Sequence, residues 1–411
     1  MRELPLDIEQ LLSDLETLAE RTEPGTPGWT RRAFSPAHAA GRAWLEAEMR
    51  AAGLTTMVDA AGNLIGRLPG AQDLPPIAIG SHTDTVMGGG RFDGTLGVLA
   101  GLAIVRALTA ADIQLRHPLE IIDFLAEEST PLGSSIGSSA MAGALEPATL
   151  QRRDADGRSL SEALVASGGR PEELAQAARP AGSLAAYLEL HIEQGPLLEQ
   201  RGTALGIVDG IVGIRRATLR LAGRPDHAGT TPMPLRHDAL AAAAEIVLAV
   251  ERAAQLHGDA VATVGMLLTQ PNQANVVPGH VTFSVEVRSL TWQTIEYVWE
   301  EVIQAIEIAC AARGVTATTS DFEDIAPIRS PAWLTATLDA ACATVAPGAP
   351  HLSSGAGHDG SLISRIAPVG MIFVRCRDGR SHCPEEYASP EDIGLGVAAL
   401  ARALLSLDHQ L

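Results

Sequence analysis

Residues 119–128 read LEIIDFLAEE, an apolar stretch that ends in the adjacent carboxylates Glu127 and Glu128. Such a short apolar run is typical of a strand that is buried on both faces. Two neighbouring carboxylates on an extended chain point to opposite sides, so one can bind a metal ion while the other faces a water molecule. An isolated Glu-Glu pair also suits a solvated turn. Its place at the end of a buried strand favours a role in chemistry.

Similar stretches lie on either side of this one in the sequence. Residues 76–81 (PIAIGS) stop just before His82, residues 94–108 have helical spacing, and residues 186–192 (AYLELHI) contain His191. Alternation of strand and helix predicts an α/β fold, with a mostly parallel sheet and helices on both faces. Ligands of such sheets bind outside the carboxyl ends of the strands. The polar residues that follow each strand are therefore expected to converge at one edge.

From about Gly213 the pattern changes. Alternating strand patterns and amphipathic helical patterns follow one another in the order strand 214–221, helix 235–254, strands 260–268 and 281–290, helix 291–313 and strand 315–319. This βαββαβ order predicts a ferredoxin-like α+β domain, inserted at 213–324 into a domain made of 1–212 and 325–411. The larger domain resumes with a helix at 333–345, a strand at 369–374 and a helix at 390–407.

The composition excludes several classes of protein. The chain has 411 residues and a formal net charge of -19, with 46% hydrophobic, 19% charged and 3% aromatic residues. A chain of this length predicts two domains, and its acidity excludes a nucleic-acid partner. No apolar run is long enough to cross a membrane, and no secretory signal is expected at the N-terminus. The four cysteines are scattered without a CxxC, which predicts reduced thiols and a cytoplasmic enzyme.

Two polar loops add further candidates for a metal site. Residues 80–97 read GSHTDTVMGGGRFDGTLG, in which glycines permit a tight loop that returns Asp93 toward His82. Asp84 is expected to orient the imidazole of His82. His382 lies in a polar turn after the strand at 369–374. Each signal alone also suits an inert loop residue, but their joint occurrence at strand ends favours a metal site.

Several motifs give a specific resemblance. GSHTDTV, GGGRFDG, AEE, ELHIEQGP, HAGTTPM, NVVPG and SGAGHDG, together with TRRAFSPAH near residue 30, occur across nearly the whole chain. In these motifs the chain resembles the amidase, hydantoinase and carbamoylase branch of the M20 metallopeptidase superfamily. That branch includes N-carbamoyl-L-amino acid hydrolases, allantoate amidohydrolases and β-ureidopropionases.

The resemblance implies a dinuclear site that uses zinc, with manganese, cobalt or nickel as alternatives. His82 and His191 would serve one or other metal ion, Asp93 would bridge both, and Glu128 and His382 would bind the second. Glu127 would be the general base. Oxygen ligands also accept manganese, so the donor set leaves the choice of metal open.

The resemblance also implies how a substrate is held. His227 would stabilise the oxyanion from the neighbouring subunit of a homodimer, and Asn275 and Arg288 would bind a substrate carboxylate. Gln194 and Gly357 are further candidates for substrate binding, whereas His358 and Asp359 beside Gly357 could serve only to brace their loop. Without the resemblance, ordinary surface positions would be the better interpretation of His227, Asn275 and Arg288.

The predicted function is hydrolysis of the carbamoyl or ureido C–N bond of a small carboxylate substrate, most simply an N-carbamoyl-L-amino acid. Allantoate amidohydrolase, β-ureidopropionase and peptidase activities are the enzymatic alternatives, and a non-catalytic binding protein on the same scaffold is a different class. One departure stands out: residues 129–132 are Ser-Thr-Pro-Leu where the family commonly has Gly-Ser-Arg-Phe. The family's arginine and aromatic contacts are therefore in doubt at that place.

Overall fold

The computed structural model describes residues 4–411. Its strands are β1 (Thr55–Val58), β2 (Leu64–Leu68), β3 (Ile77–His82), β4 (Leu119–Phe124), β5 (Ala186–Ile192), β6 (Leu205–Ile211), β7 (Gly213–Ala222), β8 (Val261–Thr263), β9 (Leu267–Gln270), β10 (His280–Ser289), β11 (Thr316–Ile325), β12 (Ile328–Arg329), β13 (His351–Ser354) and β14 (Val369–Val374). Its α-helices are α1 (Ile8–Ala19), α2 (Pro36–Ala51), α3 (Thr95–Ala110), α4 (Ile136–Met141), α5 (Leu160–Ala166), α6 (Leu197–Arg201), α7 (Ala239–Leu256), α8 (Trp292–Arg313), α9 (Ala332–Ala343), α10 (Asp359–Ile363) and α11 (Pro390–Gln410).

The chain forms two compact units. One contains the residues up to Asp209 together with Ser330–Leu411, and the other is Gly210–Arg329. The corresponding boundaries predicted from the sequence were 212/213 and 324/325. Each unit has its own hydrophobic core.

The large sheet has the order β1-β2-β4-β3-β5-β14-β6-β12, with β13 beside β6. Its central strands β4, β3, β5 and β14 pair in parallel, whereas the pairs β1–β2, β2–β4, β14–β6 and β6–β12 are antiparallel. The sheet is therefore mixed rather than mostly parallel. The turn at residues 59–63 that joins β1 to β2 gives one reason, because so short a connection can only link antiparallel strands. The Asp59 carboxylate stabilises that turn by accepting the amides of Ala61 and Asn63 at 2.9 Å.

The two faces of the central strands have different roles. Alternate residues such as Ile79, Ile121 and Leu190 are fully buried in one core with α1, α2, α3, α9 and α11. The intervening residues of β5 include Glu189 and His191, so this face carries polar side chains. The ring of His191 contacts the ring of His358, just before α10, with 4.5 Å between ring centroids. The α3 face thus provides apolar stability, and the other face provides chemistry.

The smaller unit contains a five-stranded antiparallel sheet with the order β11-β7-β10-β8, in which β9 also pairs with β10. Residues of α7 and α8 share its core with alternate residues of β7 and β10. The alternating pattern predicted at 260–268 forms the two short strands β8 and β9, separated by residues 264–266. The strand predicted at 315–319 extends to Ile325, with a bulge between Ser320 and Glu323.

Five of the longer helices begin at residues that the sequence marks as caps. Side chains of Asp7, Ser35, Asp238, Thr291 and Ser389 accept backbone N–H groups in the first turns of α1, α2, α7, α8 and α11, respectively. Each such cap satisfies an otherwise unpaired amide and contributes about 1 kcal/mol. Among residues 4–411, no helix is both long enough and apolar enough to span a bilayer.

Candidate metal centre

The loop between β3 and α3 brings Asp93 to the side chain of His82. Gly94 adopts φ 63°, and a Cβ atom at this position would lie 2.3 Å from Nε2 of His82. Only glycine therefore permits this close approach. The loop leaves both His82 and Asp93 buried, at 3% and 4% exposure.

Two groups of possible ligands share Asp93. Within each group the donor atoms lie within 4.8 Å of one another; the first is His82, Asp93 and His191, and the second is Asp93, Glu128 and His382. Nε2 of His191 lies 3.2 Å from Oδ1 of Asp93, and Nε2 of His382 lies 2.9 Å from Oδ2. The two carboxylate oxygens thus face different histidines, an arrangement that suits a bridging ligand.

Glu127 and Glu128 lie in a turn and not on an extended strand. Strand β4 ends at Phe124, and Ala126 then adopts φ 55°, a left-handed conformation that is rare for non-glycine residues. Glu128 reaches His382, with 3.3 Å between Oε1 and Nε2. Glu127 instead approaches His82, with 3.7 Å between Oε2 and Nε2. The two carboxylates do point in different directions, as predicted, but the turn and not the alternation of an extended strand is the cause.

Asp84 contacts His82 in a different way from the one predicted. The backbone carbonyl of Asp84, and not its carboxylate, lies within hydrogen-bond distance of Nδ1 of His82, at 3.0 Å. The fully buried carboxylate accepts the amides of Glu127 and Glu128 at 3.3 and 3.2 Å. Asp84 therefore holds the backbone of both glutamates as well as the imidazole.

Burial and mutual repulsion dominate the electrostatics of the acids. Burial, reinforced by Asp359 and Glu128, raises the pKa of Glu127 well above its usual value. Burial and the charge of Asp93 raise the pKa of Glu128 to about 8. Crowded buried carboxylates of this kind need positive charge nearby.

The histidines respond in the opposite sense. Burial lowers the pKa of His191, but its hydrogen bond to Asp93 and the charge of Asp93 outweigh burial and raise that pKa to about 9. The hydrogen bond to Asp93 also raises the pKa of His382 to about 9. Protonated His191 and His382 would balance part of the negative charge of the acids. Divalent cations held by the same nitrogen and oxygen atoms would balance them instead, so the residues fit metal ions.

Two residues that are not ligands, Gln194 and Glu386, hold Asp93 in place. Glu386 was not predicted from the sequence. Gln194 donates Nε2 to both carboxylate oxygens of Asp93 at 3.1 Å, from a backbone with φ 57°. Buried Glu386 accepts the amides of Phe92 and Asp93 at 2.9 and 3.1 Å, and it accepts the hydroxyl of Ser381 at 2.7 Å. A Cβ at Gly90 would lie 2.1 Å from Glu386. This contact joins residues far apart in the sequence, so no local pattern marked Glu386.

A third group of possible ligands is Glu189, His191 and His358. Glu189 and His358 already have protein partners. The Glu189 carboxylate accepts the hydroxyl of Ser81 at 2.8 Å and that of Tyr187 at 3.0 Å. Nε2 of His358 lies 2.7 Å from the hydroxyl of Ser354. These contacts favour support of His191 over direct metal binding. Gly357, predicted to contact substrate, lies next to this group and is exposed.

The remaining predicted residues belong to the smaller unit. His227 is exposed and its Nδ1 accepts the amides of Gly229 and Thr230 at 3.0 and 3.2 Å. The amide of Ala228 donates to the carbonyl of Asn275 at 2.9 Å, so His227 and Asn275 lie on adjacent segments. The Nε atom of Arg288 donates to Glu286 at 2.7 Å on β10.

Residues 69–406 match the model of peptidase family M20/M25/M40. The chain belongs to this family. It is 40% identical over 401 residues to the N-carbamoyl-L-amino acid amidohydrolase of Geobacillus stearothermophilus, covering 97% of this chain and 98% of that one. It is 34% identical over 414 residues to the allantoate amidohydrolase of Bacillus subtilis, covering 100% of both. A hydantoinase/carbamoylase family amidase from Burkholderia ambifaria superimposes with a TM-score of 0.89 at 36% identity, covering 99% and 98% of the two chains.

These matches confirm the family that the motifs indicated, and its hydantoinase/carbamoylase amidase branch. They also confirm a mixed α/β fold with a large sheet and helices. The M20 family is metal-dependent, and this chain presents groups of His, Asp and Glu side chains that can supply metal ligands.

Proposed function

We propose that this M20 amidohydrolase cleaves the carbamoyl C–N bond of N-carbamoyl-L-amino acids and releases the amino acid, ammonia and carbon dioxide. One observation carries the proposal: two groups of ligand atoms share Asp93, with the carboxylate of Glu127 beside them. The 40% identity to N-carbamoyl-L-amino acid amidohydrolases, over nearly the full length of both chains, gives the substrate class.

The proposed cofactors are two divalent metal ions, zinc in the first place, with manganese, cobalt or nickel as alternatives. His82 and His191 would hold one ion, Glu128 and His382 the other, and Asp93 both. Bound ions supply positive charge and Lewis acidity, which make water a better nucleophile at neutral pH and polarise the substrate carbonyl. Asp93 is kept in place by two hydrogen bonds: the Gln194 amide donates to its carboxylate, and its own backbone N–H donates to Glu386.

Glu127 is proposed to move the proton. Its side chain is mostly buried, with 12% exposed. The backbone N–H of Glu127 donates to the Asp84 carboxylate, which holds this residue in place. The Glu127 carboxylate takes a proton from the attacking water and delivers it to the leaving nitrogen, so that one group serves as base and then as acid.

Residues 213–324 are proposed to form a dimerisation and substrate-gripping domain of ferredoxin-like type, and the other domain is proposed to be catalytic. The antiparallel order β11-β7-β10-β8 supports the ferredoxin-like assignment. Arg288 and Asn275 would bind the substrate carboxylate, and His227 would stabilise the oxyanion. Gln194 and Gly357 are proposed as further substrate-binding residues.

A homodimer is proposed in which His227 acts in the neighbouring subunit's site. An exposed apolar edge of the five-stranded sheet supports this: Val261 and Leu268 are each 59% exposed, and Met266 is 41% exposed. Such an edge favours pairing with another chain. The four free cysteines, three of them buried, support the cytoplasmic location expected from the sequence.

The dimer arrangement can be tested by mixing two inactive variants, His227→Ala and Glu127→Gln. Random reassociation creates one intact site per heterodimer if His227 acts across the interface, restoring about a quarter of the wild-type activity. If His227 acts within its own chain, the mixture stays as inactive as its components. Light scattering of each variant checks that both still associate.

The activity itself is tested by ammonia release from N-carbamoyl-L-amino acids after reconstitution with zinc, manganese or cobalt. Allantoate and N-carbamoyl-β-alanine run in parallel test the allantoate amidohydrolase and β-ureidopropionase alternatives. Substantially faster release from allantoate would replace the proposed substrate. Metal analysis separates an enzyme from a binding protein on the same scaffold, because less than about one equivalent of bound metal would contradict a two-metal site.

A further inference from the structure

A cavity of about 690 Å³ lies beside Glu128 in the larger unit. Its lining comes from four segments of that unit: residues 32–36, 85–87, 128–132 and 154–156 with Arg158. Glu23 lines it in addition. The volume falls in the usual range for small-molecule sites. Because Glu128 is one of the proposed metal ligands, the cavity adjoins the place where the scissile bond would sit.

One wall of the cavity is a rigid, uncharged turn. The amides and carbonyls of Thr130 and Gly133 exchange two hydrogen bonds of 3.0 Å. The hydroxyl of Thr130 also donates to the carbonyl of Gly133 at 2.7 Å and accepts the amide of Leu132 at 3.1 Å. This turn contains the Ser-Thr-Pro-Leu sequence, so the wall presents Pro131 and Leu132 and no cation.

The arginines of the cavity are bound to acids of the same cavity. Arg32 pairs with Glu23 through several contacts, including 2.5 Å between Nη2 and Oε2. Arg158 donates Nε to Asp154 at 3.2 Å, and its guanidinium lies 5.9 Å from the centroid of the Phe34 ring. Both positive charges are thus balanced locally.

The remaining ionisable groups of the lining are acidic. They are Glu128, which the metal ions would engage, and exposed Asp156. An anionic group entering the cavity would meet the negative charge of Asp156, with both arginines already paired. Apolar surface is available at Val86, at Met87 with 58% exposure, and at Pro131.

From these observations we infer that the cavity accepts the side chain of the N-carbamoyl-L-amino acid and selects bulky neutral side chains over acidic ones. The inference rests on the proposed function, and it adds which amino acids that function serves. Contact with Val86, Met87 and Pro131 favours methionine, leucine or phenylalanine side chains, because burial of their apolar surface stabilises the complex. Aspartate and glutamate side chains are disfavoured by repulsion from the Asp156 carboxylate.

The test compares kcat/KM for N-carbamoylglycine, N-carbamoyl-L-methionine and N-carbamoyl-L-aspartate with metal-reconstituted protein. The wild type is expected to prefer the methionine to the aspartate derivative at least about tenfold. Met87→Trp narrows the cavity and is expected to lower kcat/KM for the methionine derivative about ten times more than for the glycine derivative. Met57→Trp is the matched control, since Met57 is similarly exposed at 54% but lies outside the cavity lining.

Charge is tested separately with Asp156→Lys. This change is expected to raise kcat/KM for the aspartate relative to the methionine derivative about threefold at low salt. Asp73→Lys makes the same change of charge at an exposed position outside the cavity and should not shift that ratio.

Equal losses for glycine and methionine derivatives in Met87→Trp, or a charge effect no larger than that of Asp73→Lys, would overturn the assignment of this cavity while leaving the carbamoylase function intact. Absence of ammonia release from all three substrates in the wild type would overturn the proposed function and this inference together.

Discussion

Replacing Glu386 by alanine should weaken metal binding without removing any metal ligand. The Glu386 carboxylate is 2% exposed and accepts the amides of Phe92 and Asp93, and it also accepts the hydroxyl of Ser381. Those contacts connect the segment that carries Asp93 to the segment that carries His382. Without them, nothing else described in residues 4–411 holds these two amides.

The magnitude follows from the two amides. A buried donor left without its acceptor costs about 1–3 kcal/mol, so Glu386→Ala should lower the free energy of unfolding by about 3 kcal/mol. Loss of a partner that orients a metal ligand typically weakens metal affinity about 10- to 100-fold. Glu386→Gln retains an acceptor oxygen for the amides and should cost about 1 kcal/mol.

The neighbouring Glu385 is the matched control. Its side chain is 55% exposed and forms a surface ion pair with Arg380 at 2.9 Å. Glu385→Ala should therefore change stability by less than about 1 kcal/mol and leave metal affinity unchanged. Chelator competition measures metal affinity, chemical denaturation measures stability, and the visible spectrum of the cobalt form reports ligand geometry. If Glu386→Ala and Glu385→Ala bind metal equally well, the positioning role of Glu386 is wrong.

Three further predictions concern the site. Glu127→Gln should keep its metal and lose at least about 100-fold in kcat, because the proton carrier is gone; a near-normal rate would remove Glu127 from this role. Arg288→Ala should raise KM for a carboxylate substrate about tenfold or more with a smaller change in kcat, and an unchanged KM would contradict carboxylate binding. Metal affinity should rise with pH between about 7 and 9, because ions must displace protons from Glu128, His191 and His382, whose pKa values are about 8, 9 and 9. Calorimetry in buffers of different ionisation enthalpy should detect proton release on metal binding at pH 7. Absence of proton release would refute the raised pKa values.

The central strands of the large sheet and the main elements of the smaller unit could be predicted from periodicity. The strand at 369–374 and the strand at 186–192 occur where the apolar runs place them, because a strand buried on both faces needs an unbroken apolar sequence. The antiparallel pairings of β2 with β4 and of β6 with β14 could not be predicted, because these partners are distant in sequence. Local pattern carries no information about which strand lies alongside.

The site divides in the same way. By itself the sequence determined which residue types lie at or near the ends of the buried strands and, through its motifs, the family. It also predicted the candidate ligands His82, Asp93, Glu128, His191 and His382 and the candidate base Glu127. Only the tertiary structure decided that Asp93 faces two histidines with its two oxygens, and that the Asp84 carboxylate holds the glutamate backbone. Left-handed backbones at Ala126, Gln194 and His382 produce that geometry. Long-range packing stabilises such conformations against local preference, so no local pattern in the sequence could reveal them.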